Sequence, residues 1–311
     1  MAIPRKTRRS IDCDATNQSR SVRGPSWPML ARLLATMLGA WALSSSALGL
    51  ELSGPQQQGA LLIGQVAPGS QVWLNEKAVR VTAAGQFAMG FGREAELEQR
   101  VRVQSPVGQT TVHNLTLSQR EYDIQRIEGV PSRTVTPPQE RTKRIRREAG
   151  RVREVRATDS DLTGFLAGFV WPAEGRISGV YGSQRVYNGH PGSPHYGVDI
   201  AAPRGAVVIA PASGVVTLAE PNLFYSGGTL IIDHGHGVSS TFLHLDSLLV
   251  EPGQSVKQGD RIARVGSTGR STGPHLDWRM NWYGERVDPV TIAPPLQEGH
   301  TPPLLKTDGR K

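Results

Sequence analysis

Residues 274–282 read P-H-L-D-W-R-M-N-W. At a period of two, His275, Asp277, Arg279 and Asn281 fall on one face, and Leu276, Trp278, Met280 and Trp282 on the other. This predicts a half-buried strand with one face in a core and the other carrying polar chemistry. Upstream, S-P-H-Y-G-V-D-I-A-A-P at 193–203 sets His195 and Asp199 four apart, so they share a face if the segment is extended. Pro194 and Pro203 bracket that stretch, Gly197 interrupts it, and Val198 and Ile200 are β-branched. All of this argues against helix. Two His/Asp pairs are therefore expected on two extended segments.

The surrounding chain supports an all-β reading. Between 161 and 295, short apolar runs such as A-V-V-I-A-P-A-S-G-V-V-T-L-A-E (206–220) and G-G-T-L-I-I-D-H-G-H-G-V-S-S-T-F-L-H-L (227–245) are separated by Gly, Pro and Asp turns, with almost no helical period. Six of the eight histidines lie between His190 and His275, a clustering that points to metal or acid-base chemistry. Within the cluster, His234 and His236 fall at a turn and read as structural or solvent-facing, with His236 able to line a groove. His190 sits in a loop that could border substrate, and His300 in a Pro-rich tail.

Farther out, residues 51–120 alternate like a hairpin meander, with turns at Ala67-Pro68-Gly69, Asn75-Glu76 and Ala84-Gly85, and predict a small β-sandwich-like module. It holds no convergent titratable cluster, and His113 reads as a strand-surface residue. Residues 121–160 read as a linker with Pro131, Pro137 and Pro138 and then a basic helix over 139–157, its thin apolar stripe being Ile145, Ala149, Val152 and Val155. The basic run lacks aromatic interleaving and reads as a solvated face; no nucleic-acid partner is expected. Residues 296–311 read as a disordered tail.

Residues 29–47 form an apolar run ending in small residues, which predicts a secretory signal cleaved near Gly49, with Met29 as a start and 1–49 as the signal region. A membrane association follows only if that signal is uncleaved. The single cysteine, Cys13, falls in this region, so disulfide frameworks, thiol catalysis and cysteine zinc sites are excluded from the remainder. The region also carries seven basic and two acidic residues, so without it the formal charge drops from +8 to about +3.

The order His195-x-x-x-Asp199, an isolated His244 after a strand, and T-G-P-His275 with Asp277 two residues on resembles the lysostaphin-like, LytM-domain zinc endopeptidases. G-V-D-I-A-A-P-R-G-A-V-V, G-G-T-L-I-I-D-H-G, V-K-Q-G-D-R-I-A-R-V-G-S-T-G and Val287-Asp288-Pro289 are similar to that family too. The resemblance covers roughly the last 130 residues and implies a LytM-type antiparallel sheet. It implies one Zn²⁺ per chain, hydrolysis of peptide cross-links of peptidoglycan, and a periplasmic or envelope location. It further implies His195 and Asp199 as zinc ligands and His244 and His275 as the catalytic histidines, with peptidoglycan peptide stems, and other envelope proteins, as partners.

One position departs from the family, which has His where this chain has Asp277. Zinc accepts carboxylate oxygen at nearly the same distance as imidazole nitrogen, so Asp277 is a permissible third ligand. Its shorter reach and extra negative charge would weaken polarisation of a bound water. The competing reading pairs Asp277 with Arg279 and breaks the site. Arg279 is the candidate for substrate binding, near a developing oxyanion. The alternative function is a degenerate LytM domain that binds peptidoglycan or activates another hydrolase. A lipoyl-type carrier, suggested by 251–266, lacks a Lys at the tip where Gln258, Gly259 and Asp260 stand.

Overall fold

The computed structural model describes residues 49–128 and 139–295. The signal region before residue 49, the prolines at 131, 137 and 138, and the tail beyond 295 lie outside the described residues. Upstream strands are β1 (Glu51–Ser53), β2 (Leu61–Gln65), β3 (Gln71–Leu74), β4 (Lys77–Val79), β5 (Gln86–Gly90), β6 (Glu98–Gln104) and β7 (Thr110–Thr116). They form two sheets, β1-β2-β5 and β4-β3-β6-β7, around a core that includes Leu62, Val72, Phe87, Val101 and Val103. The β3–β4 hairpin turns through Asn75 and Glu76, both left-handed at φ 46° and 67°, the backbone that matches the twist of flanking strands. His113 sits on β7 beside the Thr111 hydroxyl, 3.3 Å away.

Downstream come β8 (Ile124–Ile127), α1 (Gln139–Arg156), β9 (Arg176–Gly179), β10 (Gln184–Tyr187), β11 (His190–Pro191), β12 (Val198–Ala201), β13 (Val207–Ile209) and β14 (Gly214–Leu223). After these lie β15 (Gly227–Gly235), β16 (Val238–Leu245), β17 (Ser247–Leu248), β18 (Ser255–Val256), β19 (Arg261–Arg264), β20 (Leu276–Trp282) and β21 (Glu285–Val287). The main sheet runs β18-β14-β15-β16-β20-β12-β9, with β21 paired to β20, and its pairings are antiparallel. Smaller sheets are β13-β19-β17 and β11-β10-β8. Strand β8 falls in the stretch read as linker, yet it pairs in parallel with β10 from Gln184↔Ile124 to Tyr187↔Ile127.

The main sheet is a middle layer. Val216, Leu230, Ile232, Phe242, Trp278 and Met280 face the larger core, and each fully buried aliphatic or aromatic side chain there contributes on the order of 2 kcal/mol. On the opposite face, Val152 and Val155 of α1 pack on Leu218, Leu223 and Ile231. The basic helix is therefore docked through the lower half of its predicted stripe, and Arg151 is paired with Glu220. This layering also corrects the half-buried reading of β20: Asp277 is 2% exposed and Asn281 is 0% exposed, so the polar face is enclosed at these positions and stays partly open at His275 and Arg279. Alternation distinguishes polar from apolar faces, and does not say how deeply packing buries each position of the polar one.

The upstream module packs directly on the downstream sheet. Leu61 and Ala88 join the larger core, and Trp282 packs against both cores. Asp288, 3% exposed, accepts a hydrogen bond from Arg120 Nη1 at 2.9 Å and caps a 3-10 turn through Val290 N at 3.0 Å. Its own N–H donates to Gly59 O at 2.7 Å. Among the described residues, no helix is long and apolar enough to cross a membrane.

Candidate active site

Strands β12 and β20 lie side by side with Asp199 opposite Asp277, so the two carboxylates project from one sheet face. His195 stands just before β12, where its Nδ1 donates to Val180 O at 3.2 Å. That leaves Nε2 directed at the carboxylates, 3.1 Å from Asp199 Oδ1 and 3.5 Å from Asp277 Oδ2. Two glycines make room for the carboxylates. A Cβ at Gly179 would fall 2.3 Å from Asp199 Oδ2, and one at Gly197 would fall 2.5 Å from Asp277 Oδ1.

His244 enters the same site by a backbone distortion. The β15–β16 register shifts between Leu230↔Phe242 and Gly228↔Leu245, and His244 takes the left-handed φ of 62°. Such a conformation costs on the order of 1 kcal/mol or more and persists only where neighbours enforce it. Here they do: His244 N donates to Ser226 O at 2.8 Å, and its Nδ1 donates to Thr268 O at 2.8 Å. His275 is held alike, Nδ1 donating to Gly273 O at 2.8 Å. The His244 and His275 rings lie 4.8 Å apart, and His275 Nε2 is 3.8 Å from Asp199 Oδ1. In all three histidines a backbone carbonyl accepts a hydrogen bond from Nδ1–H, which fixes the ring and turns Nε2 toward the site.

The electrostatics favour a cation between the carboxylates. Burial works against charging His195, but Asp199 and Asp277 outweigh it and lift its pKa to about 10. Burial would likewise raise Asp277, yet the Arg279 and His195 charges hold it well below the usual carboxylate range. Burial lowers the pKa of His244, which keeps its imidazole neutral at neutral pH. Asp199 Oδ1 is buried without a hydrogen-bond partner; the 3.1 Å approach of His195 Nε2 is close but misaligned. His195, Asp199 and Asp277 offer three donor atoms within 4.8 Å of one another. An orphaned carboxylate oxygen, a second carboxylate and an imidazole Nε2 whose proton a cation can replace fit a divalent metal.

Arg279 complicates that fit. Its Nε donates to Asp277 Oδ1 at 2.9 Å and Nη2 to Oδ2 at 2.5 Å. A carboxylate has about four lone-pair positions, so the fork leaves Asp277 Oδ2 able to face His195 and a metal at once. The remaining histidines lie outside this constellation. His234 is 0% exposed, bonded to Ser213 O at 2.9 Å and Ser240 Oγ at 2.8 Å, which bears out a structural role and excludes a solvent-facing one. His236, 3% exposed, stacks near Phe165 with centroids 5.1 Å apart. His190 is exposed in β11.

The family model for peptidase family M23 matches residues 193–289, a span that holds all of these groups. Residues 193–289 form an M23 peptidase domain. The chain is 40% identical over 103 residues to a protein of Vibrio cholerae named peptidoglycan DD-endopeptidase ShyB, covering 33% of this chain and 24% of that one. It is 35% identical over 124 residues to the murein hydrolase activator NlpD of Escherichia coli, covering 40% of this chain and 31% of that one. A solved structure described as a candidate M23 peptidase from Pseudomonas aeruginosa matches at 26% identity and TM-score 0.60. It covers 76% of this chain and 94% of its own, so the likeness extends past the M23 domain into the upstream strands. The chain spans under a third of the length of the curated relatives named here, 24% and 31%.

Within the M23 domain, the six residues expected from sequence lie in one neighbourhood. Sequence reasoning did not find the backbone carbonyls of Val180, Thr268 and Gly273 that orient the histidines, since a carbonyl carries no residue signature. It also passed over Arg156. The charges of Arg279 and Asp277 bear on Arg156 although it ends a helix more than a hundred residues upstream in sequence.

Proposed function

We propose that this chain is an exported zinc metalloendopeptidase that hydrolyses peptide cross-links of peptidoglycan. The observation that carries the reading is the convergence of the His195 Nε2 and two carboxylates, one with a buried, unpartnered oxygen, beside two further histidines anchored at Nδ1. Zinc bound by His195, Asp199 and Asp277 would supply Lewis acidity toward a scissile carbonyl and lower the pKa of a bound water. His244, neutral and anchored at Nδ1, is suited to accept a proton at Nε2, and His275 to hold or return one. Arg279, 23% exposed at its side chain, adds positive potential next to the same carboxylate. The names of the relatives support peptidoglycan as substrate, and the apolar stretch at 29–47 supports export to the periplasm or cell envelope.

The fork of Arg279 on Asp277 favours a second reading: a non-catalytic M23 domain that binds peptidoglycan or activates another envelope hydrolase, the role NlpD's name states for it. Metal analysis of the wild-type protein, coupled to hydrolysis of purified peptidoglycan, separates the two. Near-stoichiometric zinc together with cleavage that chelation abolishes supports the enzyme. Wild type without zinc or cleavage, with both gained by Asp277→His, hands the case to the non-catalytic reading.

A further inference from the structure

The sheet face that carries Asp277 continues into a cluster of arginines. Register places Leu218 opposite Ile231, Ile231 opposite Thr241 and Thr241 opposite Arg279, and directly opposed residues share a face. Helix α1 lies on Leu218 and Ile231, so its last residue, Arg156, ends above the same face as Arg279. Arg286 of β21 reaches this floor too, its Nη1 donating to Asn281 Oδ1 at 2.8 Å and its guanidinium 5.9 Å from the Tyr196 ring.

The charges in this cluster do not balance. Asp277 is taken by Arg279, and Arg286 has only a neutral amide oxygen as a side-chain acceptor. Arg156 Nε is buried with no acceptor, and no carboxylate pairs with its guanidinium among the described residues. Burial, then the charges of Arg286 and Arg279, press the Arg156 pKa downward; burial and Arg279 do the same to Arg286. Of the carboxylates whose charge bears on these arginines, Asp277 is the one paired and Asp199 belongs to the metal-ligating group; two others on neighbouring segments are engaged elsewhere. Asp233 is bonded to Ser160 Oγ and Gly235 N, and Asp159 to Arg80 and the Tyr283 hydroxyl. All three arginines are half-buried; cations drawn partly out of water are favoured by pairing, and planar guanidinium groups match carboxylates in bidentate geometry.

We propose that Arg156, Arg279 and Arg286 form a carboxylate-binding subsite on the sheet face beside the metal-ligating group, taking a free carboxylate of the substrate peptide. The subsite rests on the reading of the chain as a peptidoglycan-directed M23 protein and adds the substrate feature it selects: an anionic residue flanking the bond, rather than a neutral run such as glycines. Arg279 touches both centres and couples them.

Calorimetry on the full chain tests this with two probes, the stem tetrapeptide L-Ala-γ-D-Glu-meso-diaminopimelate-D-Ala and the same peptide with its carboxylates amidated. Wild type is expected to bind the free acid at least about tenfold more tightly. Arg156→Gln and Arg286→Gln should each weaken the free acid by about 10–100-fold, as expected for losing a charge-assisted hydrogen bond, while leaving the amide form and zinc content unchanged. Equal binding of the two peptides by wild type overturns the subsite without needing any variant to fold, as does an unaltered preference in both variants. Zinc and cleavage without carboxylate preference sink the subsite alone. Carboxylate preference without zinc or cleavage upholds the subsite and sinks the enzyme reading.

Discussion

Gly197→Ala puts the packing of the site to the test with one methyl group. Gly197 sits between His195 and Asp199, and a Cβ there would lie 2.5 Å from Asp277 Oδ1, 2.6 Å from Arg279 Cγ and 2.7 Å from Trp278 O. Ordinary contact begins near 3.4 Å, so strand β20 must withdraw by roughly 0.7–0.9 Å or the Asp277 carboxylate must rotate off its Arg279 fork. Trp278 O is backbone in a paired central strand, opposite Val198 and Phe242, and has little freedom to move. Overpacking of this kind costs about 1–3 kcal/mol, and at about 2–4 °C per kcal/mol for a domain of this size the melting temperature should fall by about 2–12 °C. The consequence for function is larger, because a displacement approaching 1 Å at a reacting centre can cost about 100-fold in rate. The assay is thermal unfolding of wild type, Gly197→Ala and a Gly284→Ala control, with zinc content and peptidoglycan hydrolysis measured on the same samples. A Cβ at Gly284 meets nothing within 4 Å, so that control should melt like wild type. A Gly197→Ala protein with wild-type melting, zinc and turnover would refute the claim that this glycine makes room for Asp277.

His244→Ala should retain zinc and lower turnover by about 10²–10⁴, whereas His195→Ala should lose the metal; equal metal loss in both would show that His244 is a ligand. The buried His234 should confer acid sensitivity. Its folded pKa is lowered by burial to about 4 from 6.5, so its contribution is fully present above 6.5 and falls as pH drops from 6.5 toward 4, by on the order of 3 kcal/mol in all. Denaturant titrations from pH 7 to 4 should show a shallower decline for His234→Asn, and parallel curves would refute the assignment. Arg120→Met leaves the buried Asp288 carboxylate unpaired and should cost on the order of 3 kcal/mol, read by urea unfolding. Much of that loss should be recovered in the double variant with Asp288→Asn. No recovery would mean that the pair is not what couples the module to the M23 domain.

Much of the site was legible because strand periodicity is local. The alternation at 274–282 assigned Asp277 and Arg279 to one face of β20, which holds because side-chain direction in a strand depends only on parity; His195 and Asp199 also meet, at 3.1 Å, although His195 stands before β12 and is placed by its loop. The turn at Asn75–Glu76 and half of the apolar stripe of α1, Val152 and Val155, were equally local. What spacing could not supply is distance between segments. That β12 sets Asp199 opposite Asp277, that a bulge turns His244 inward at positive φ, and that Arg279 forks on Asp277 while leaving an oxygen toward His195 are results of register and packing. The same holds for β8, which joins a sheet from within an apparent linker, and for Arg156, whose sequence context is a run of solvated arginines. Its burial beside Arg279 and Arg286 exists only because α1 lies on the main sheet. Sequence determined the residue types and the face each occupies, through rules that span a few residues. Tertiary structure decided which charges meet and which remain unpaired, because Coulomb and desolvation energies depend on distances between segments far apart in the chain.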